Sequence, residues 1–214
     1  MFVEWPRQPA SVRHFVLVCV AIEVLATLGF LLNPSDGIRT LLIYFGGFWP
    51  SLMDGHPGAL PGQVVYMFAT SAFIHGGWLH LAMNMFALMW LGPIIVRRAG
   101  RAAFWPLSGL SALGAGAGYA LLSNSGAPMV GASGVIFGLL GAVACWTVLD
   151  QLARRASLRP LMQQALVLLV LNVALTLLSD GSIAWQAHLG GFIAGAICGA
   201  LSWRHLTSGP LKRL

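Results

Sequence analysis

Long apolar runs constrain this chain more than any other feature of its sequence. One of them, from Phe15 to Leu32, contains a single charged residue, Glu23. Since hydrocarbon offers no hydrogen-bond partners to a backbone, an apolar run of about 20 residues crosses a membrane as a helix. Six such runs occur, at about 14–32, 76–96, 103–122, 132–149, 163–179 and 185–203. The sequence therefore predicts an all-α membrane protein with six transmembrane helices.

Composition favours the same class and a single folded unit. The chain is 57% hydrophobic and only 8% charged, far from the composition of ordinary soluble domains. No polar linker divides it, so we expect one membrane domain over 1–214. The first apolar run lacks a small-residue cleavage site and is interpreted as a retained span. The connection at 33–63 is rich in Gly, Pro and aromatic residues, and we expect it to fold onto the membrane surface.

The basic residues predict the orientation of the spans. Their small groups between apolar runs do not form the continuous basic surface that nucleic acid requires, despite a net charge of +6. Only Arg39 lies in the loops that would face outward, and the positive-inside rule then puts both termini in the cytoplasm. In a bacterial inner membrane the other loops would face the periplasm. The inward set is Arg7, Arg13, Arg97, Arg98, Arg101, Arg154, Arg155, Arg159, Arg204, Lys212 and Arg213.

Four polar side chains lie at a similar depth on three of the predicted helices. Ser133 begins the fourth span, His188 lies early in the sixth, and His80 and Asn84 lie one turn apart near the start of the second. One such residue alone is best interpreted as an interhelical hydrogen bond that holds helices together, worth about 0.6 kcal/mol. Four at one depth favour a functional site, because buried polar groups in a membrane need partners or water.

Glycines at four-residue spacing follow Ser133 and His188. Small residues at this interval allow two helix backbones to approach closely, which by itself is also typical of transporters. If the two glycine faces pack together, Ser133 and His188 meet at one end of the contact. The glycines are Gly134, Gly138 and Gly141 in the fourth span and Gly191, Gly195 and Gly199 in the sixth.

A serine next to an imidazole suggests nucleophilic catalysis. The imidazole of His188 can remove the proton of the Ser133 hydroxyl during attack on a carbonyl. Glu23 is the only acidic residue inside a predicted span, so a Ser–His dyad is favoured over a Ser–His–Asp triad. His80, Asn84 and the unpaired N–H groups at the start of the fourth span could hold an oxyanion. Val135 breaks the G-x-S-x-G pattern of α/β-hydrolases.

Three ordered motifs resemble one known family. They are HGGWLHLAMN in the second span, GASGVIFGLLG at the start of the fourth and AHLGGFIAG in the sixth. From about Thr70 to Gly199 the chain resembles a rhomboid intramembrane serine protease. The resemblance implies a six-helix rhomboid-like bundle with a long membrane-associated loop between helices 1 and 2.

The resemblance also implies a role for each matching residue. Ser133 matches the nucleophile and His188 the general base, while His80 and Asn84 match the side chains that line the oxyanion hole with the Ser133 N–H. Phe137 matches an aromatic position against which the base packs. The supporting glycines of the motifs are Gly131, Gly134, Gly191 and Gly195. His75 and Thr70 match positions interpreted as structural.

Two positions depart from the pattern of the resembling family. Tyr66 and Met67 stand where Trp-Arg is common, and Val96 stands where many members have Glu. The loop before the second span therefore cannot use that arginine to fix its shape.

The resemblance implies an endopeptidase without metal or other cofactor, whose substrates are transmembrane proteins that enter laterally from the lipid. A rhombosortase-like enzyme that trims C-terminal membrane tails fits the same motifs. A non-proteolytic rhomboid-like protein that binds transmembrane clients would lack Ser133 or His188, and both are present. A transporter is disfavoured, because no inverted repeat is apparent.

Overall fold

The computed structural model describes residues 8–32, 37–163, 165, 166, 170 and 184–208. These residues are almost entirely helical, and their one extended pairing joins Phe48 to Met129. The predicted fifth span, 163–179, lies outside the described residues except at four positions. The helices are α1 (Ala10–Leu32), α2 (Ile38–Gly46), α3 (Gln63–Thr70), α4 (Trp78–Ala99), α5 (Phe104–Leu122), α6 (Ser133–Ala153) and α7 (Trp185–Ser208).

Five of these helices coincide with predicted apolar runs. Three of them, α1, α4 and α6, are long and apolar enough to cross a membrane. Helices α4, α6 and α7 continue a few residues beyond the apolar runs into polar sequence, because a helix does not need to end where lipid ends. We call the end of the bundle that contains Ser133 the outer end, and the end that contains Arg98 the inner end.

Helix α7 packs against α6 and α5 through glycines, which is what positions the site. A Cβ atom on Gly191 would collide with the carbonyl of Gly134, and one on Gly195 with the carbonyl of Gly138. On its other side α7 approaches α5, where a Cβ on Gly118 would lie 2.6 Å from the carbonyl oxygen of Gln186. Helices surrounded by lipid gain little from hydrophobic burial against each other, so this close backbone packing supplies much of the contact.

The connection between α1 and α4 is folded against the outer end of the bundle. The Thr70 hydroxyl donates to the carbonyl of Gly46 at 2.7 Å, which joins the end of α3 to the end of α2. Buried Gln63 donates to the Tyr44 carbonyl at 2.7 Å and accepts from the Ala59 N–H at 2.7 Å. The predicted surface connection thus contains one short helix, α2, and a second one, α3, follows that connection directly; side chains that bond to backbone hold the two together.

Met67 shows how this connection is stabilised without the arginine that the resembling family commonly carries there. Its side chain is fully buried in an apolar cluster with Phe48, Tyr119 and Ala187. Phe48 in turn pairs with Met129 through two backbone hydrogen bonds of 2.9 and 2.8 Å. Apolar packing therefore ties α3 to the loop that precedes Ser133.

An ion pair joins the helices at the inner end. Arg98 on α4 donates to both carboxylate oxygens of Asp150 on α6, at 2.8 and 2.9 Å. Trp203 on α7 donates its indole N–H to Asp150 at 2.9 Å. One carboxylate thus links three helices far along the bundle from Ser133.

Candidate active site

Ser133 and His188 face each other at the outer end of the α6–α7 contact. Ser133 is the first residue of α6, and His188 lies one turn into α7. The Ser133 Oγ atom is 2.9 Å from Nε2 of His188, which is hydrogen-bond distance for a hydroxyl and an imidazole. The close approach follows from the glycines just beyond, since the Gly134 carbonyl and Gly191 lie directly against each other.

Phe137 fixes the plane of the His188 ring. The two rings are stacked, with centroids 4.2 Å apart and planes inclined by 6°. Phe137 lies one turn after Ser133 on the same face of α6. A ring held flat against this phenylalanine can present Nε2 to Ser133 with little rotational freedom.

His80 lies beside the loop that leads into Ser133. The Gly76 N–H donates to Nδ1 of His80 at 3.3 Å, so Nδ1 is an acceptor and the proton of the neutral ring belongs to Nε2. A Cβ atom at Gly131 would lie 2.8 Å from His80 Nε2 and 3.9 Å from Ser133 Oγ. The Nε2–H donor of His80 and the serine hydroxyl thus both lie beside Gly131.

Gly131 has a backbone conformation suited to glycine. Its φ angle is +119°, a value that residues with a side chain rarely adopt. The space a side chain would need is occupied by the His80 ring. The positive φ angle and the nearby His80 ring both explain why position 131 is a glycine.

Asn84 is buried one turn after His80 on α4. Its amide nitrogen donates to the His80 carbonyl at 2.8 Å, a bond within its own helix. An amide group carries two N–H donors, so one bond leaves a second donor. The structure brings Ser133, His188, Phe137, Gly131 and His80 together, whereas the hydrogen bond of Asn84 connects it to the backbone of α4.

Two backbone N–H groups just before Ser133 are held by the segment before α4. The Gly131 N–H donates to the Ser71 carbonyl at 2.9 Å, and the Ala132 N–H donates to Nε2 of His75 at 3.4 Å. Burial lowers the pKa of His75 from 6.5 to about 4, so its ring is neutral and can accept this bond. The N–H of Ser133 is among the first donors of α6, which have no acceptor within a helix.

Sequence reasoning missed the partnership between Glu23 and Arg39. Arg39 on α2 donates to both carboxylate oxygens of Glu23 on α1, at 2.6 and 2.9 Å, and to the His75 carbonyl at 2.6 Å. Each residue is an exception in the sequence: Glu23 is the only acidic residue in a predicted span and Arg39 the only basic residue in an outward loop. The available signal was one acidic residue inside the first span and one basic residue in the outward loop that follows it.

The arrangement has the elements of acyl transfer chemistry. A hydroxyl lies within reach of a base, the base is held by a stacked ring, and N–H donors lie beside the hydroxyl. Within the part of the chain that the structure describes, no group of three or more His, Cys, Asp or Glu side chains could hold a metal ion.

Comparison with known proteins gives the family. Residues 62–205 match the Rhomboid domain family. Rhomboid-like protease 1 of Toxoplasma gondii is 29% identical over 198 residues, which cover 92% of this chain and 62% of that protein. RHOMBOID-like protein 5 of Arabidopsis thaliana is 32% identical over 59% of this chain and 40% of its own length.

A bacterial relative gives the same result. Rhomboid protease GlpG of Serratia proteamaculans is 28% identical over 66% of this chain and 49% of its own length. The chain therefore spans less than two thirds of each of these three relatives. The family match covers well over half of the chain and includes all three sequence motifs. The resemblance seen in the sequence is confirmed, and the chain is an integral membrane protein of the rhomboid family.

Proposed function

We propose that this protein is an intramembrane serine endopeptidase that cleaves a peptide bond in or near the transmembrane segment of another membrane protein. The observation that carries the proposal is the 2.9 Å separation between Ser133 Oγ and His188 Nε2 on two helices packed through glycine. Named proteases among the relatives support the same activity.

The proposed reaction begins with attack by Ser133 on the scissile carbonyl. Nε2 of His188 takes the hydroxyl proton as the Oγ–C bond forms, and the carbonyl oxygen becomes an oxyanion. Donors from His80 Nε2–H, the second N–H of Asn84 and the Ser133 backbone stabilise that charge. His188 then gives its proton to the leaving amine, and an acyl-enzyme remains. A water molecule, activated by His188, hydrolyses the ester and restores Ser133.

The proposed topology has six spans in a single domain over 1–214, with both termini in the cytoplasm and the site open to the outer face. The pairing of Arg39 with Glu23 supports this orientation, because the one basic residue in the outward loops is neutralised by a carboxylate. The family match and the apolar helices are compatible with a bacterial inner membrane, which we propose as the location.

The proposed substrate is a transmembrane helix that enters laterally from the lipid. A helical peptide bond has its carbonyl engaged in a hydrogen bond, so the segment must unwind before a serine can attack. Segments with Gly or Pro unwind most readily, because these residues form poor helices. The family resemblance implies cleavage after a small residue such as Ala.

Cleavage of a single-span reporter in liposomes tests the proposal. Ser133→Ala removes the proposed nucleophile and should reduce cleavage to background, because the proposed acyl-enzyme forms on the Ser133 hydroxyl. Ser125→Ala is the matched control, since Ser125 lies in the exposed loop between α5 and α6 and its hydroxyl accepts from the nearby Ala127 N–H.

Equal cleavage by wild type and Ser133→Ala would contradict the proposed nucleophile. A wild type that cleaves no reporter with a Gly- or Pro-containing transmembrane segment would contradict the proposed activity itself. The melting temperature Tm of each variant, measured in the same detergent, shows that a loss of cleavage is not a loss of fold.

A further inference from the structure

Glu23 and Arg39 form a partly buried, two-pronged ion pair between α1 and α2. Glu23 is only 1% exposed whereas the Arg39 side chain is 29% exposed, and both carboxylate oxygens of Glu23 accept from the guanidinium group. Opposite charges of this kind are costly to bury, and replacing a buried pair with apolar side chains is often neutral or stabilising. A contribution to stability is therefore a weak explanation for the ion pair. The other hydrogen bond of Arg39 gives a better explanation.

The other contact of Arg39 is the backbone of His75. Nη1 of Arg39 donates both to Glu23 Oε2 and to the His75 carbonyl, the latter at 2.6 Å. Because Glu23 holds the guanidinium by two bonds, the direction of this third bond is set by α1. Arginine suits the task, since its planar fork carries several donors in fixed directions and a lysine ammonium does not.

His75 passes this constraint to the candidate active site through its ring. Nε2 of His75 accepts from the N–H of Ala132, the residue immediately before Ser133. The His75 ring also packs edge-on against the ring of His80, with centroids 5.1 Å apart. One residue thus contacts Arg39 with its backbone and, with its side chain, both the serine loop and the proposed oxyanion donor.

We propose that the Glu23–Arg39 pair is a positioning device for the proposed active site, acting through His75 on the backbone at Ala132 and on the His80 ring. It fixes the loop before α4, because Arg39 bonds to the carbonyl of His75 in that loop. The inference rests on the proposed function, and Glu23, Arg39 and His75 act as positioning residues that touch no reacting atom.

The test removes the pair without leaving an unpaired charge. The double variant Glu23→Met/Arg39→Met replaces both ions with apolar side chains, which avoids the cost of a lone buried carboxylate. We expect kcat per active enzyme to fall by about ten- to a hundred-fold, because misplacement near 1 Å is enough to cost about 10²-fold in rate. KM should stay near the wild-type value, since Glu23 and Arg39 are positioning residues that are not proposed to contact the substrate.

The inner ion pair offers a matched control. Arg98→Met/Asp150→Asn breaks a pair with the same two-pronged geometry, 2.8 and 2.9 Å, between α4 and α6 at the far end of the bundle. Its kcat per active enzyme should equal that of wild type whatever its Tm. Equal losses of kcat in both double variants, or no loss of kcat in Glu23→Met/Arg39→Met (the outer variant), would overturn the proposal.

Hydrogen–deuterium exchange tests the positioning independently of activity. Removal of the Glu23–Arg39 pair should speed exchange in the segment 129–133, because the Ala132 N–H loses its fixed acceptor, and the inner variant should not. Arg39→Lys, which keeps the charge but not the fork, should give intermediate exchange and intermediate kcat. Unchanged exchange in the outer variant would refute the inference even if the enzyme cleaved nothing, whereas faster exchange in an inactive protein would refute only the proposed function.

Discussion

Gly131→Ala separates the two reasons for a glycine before Ser133. The first reason is backbone strain: at φ +119° a residue with a side chain costs about 1–3 kcal/mol. The second is steric: the new methyl would lie 2.8 Å from Cε1 and Nε2 of His80, where ordinary contact begins near 3.4 Å. The imidazole must therefore move by about 0.6 Å or the serine loop must yield by as much.

The displacement predicts a larger effect on rate than on stability. Active sites work within about 0.5 Å of their best geometry, so a shift of this size in His80, the proposed oxyanion donor, should lower kcat by about ten- to a hundred-fold. A strain of about 1–3 kcal/mol should lower Tm by several degrees for a chain of this length. The assay is reporter cleavage in liposomes, with kcat referred to the concentration of active enzyme, alongside Tm in detergent.

Gly100→Ala is the control for strain alone. Gly100 also has a positive φ, +86°, but apart from its chain neighbours no atom lies within 4 Å of the position of its Cβ, and it follows α4 at the inner end. We expect a similar fall in Tm with an unchanged kcat. A Gly131→Ala enzyme with wild-type kcat, or a Gly100→Ala enzyme with the same loss of kcat, would refute the reasoning.

Two further predictions concern packing and pH. Gly195→Ala would force a methyl into the Gly138 carbonyl and should lower Tm sharply. Gly199→Ala should lower Tm less, because its methyl would lie 3.0 Å from the Ala142 carbonyl. Equal Tm values for the two variants would contradict the α6–α7 contact. Burial lowers the pKa of His75 from 6.5 to about 4. Between pH 6.5 and pH 4, His75 therefore binds a proton in the unfolded chain but stays neutral in the folded chain. Tm should therefore fall as the pH drops from 6.5 towards 4, and His75→Gln should flatten the profile; an equally steep profile in the variant would contradict this assignment.

The long helices could be predicted from sequence because lipid leaves few alternatives. An apolar run of span length must satisfy its own backbone, so α1, α4, α5, α6 and α7 follow the runs closely. Their ends were less predictable, since helix α4 continues through Arg97 and Arg98 to Ala99. Hydropathy records the lipid boundary, and hydrogen bonding decides where a helix stops.

The outer connection was less accessible to sequence reasoning. Helices α2 and α3 are short, and each depends on tertiary bonds such as those of Thr70 and Gln63 rather than on a long apolar pattern. Such bonds join residues many positions apart, and one sequence does not reveal which side chain will meet which carbonyl.

In the candidate site, too, some contacts could be predicted from the sequence and others could not. The meeting of Ser133 with His188 could be anticipated, because glycine spacing on two helices constrains how the helices pack. The meeting of Glu23 with Arg39 could not, because residues 33–37 separate α1 from α2 and local composition does not determine the direction of the chain between two helices. The roles assigned to Ser133, His188, His80 and Asn84 stay predictions until they are measured.

The most direct measurement of the central claim is covalent labelling by a fluorophosphonate, followed by mass spectrometry of the labelled peptide. A serine activated by His188 should carry the phosphonyl group at Ser133 in wild type, and His188→Ala should remove the label while His56→Ala, in the exposed outer connection, should not. Label at another residue, or labelling at the same rate in wild type and His188→Ala, would contradict the claim that Ser133 and His188 work as a nucleophile and its base.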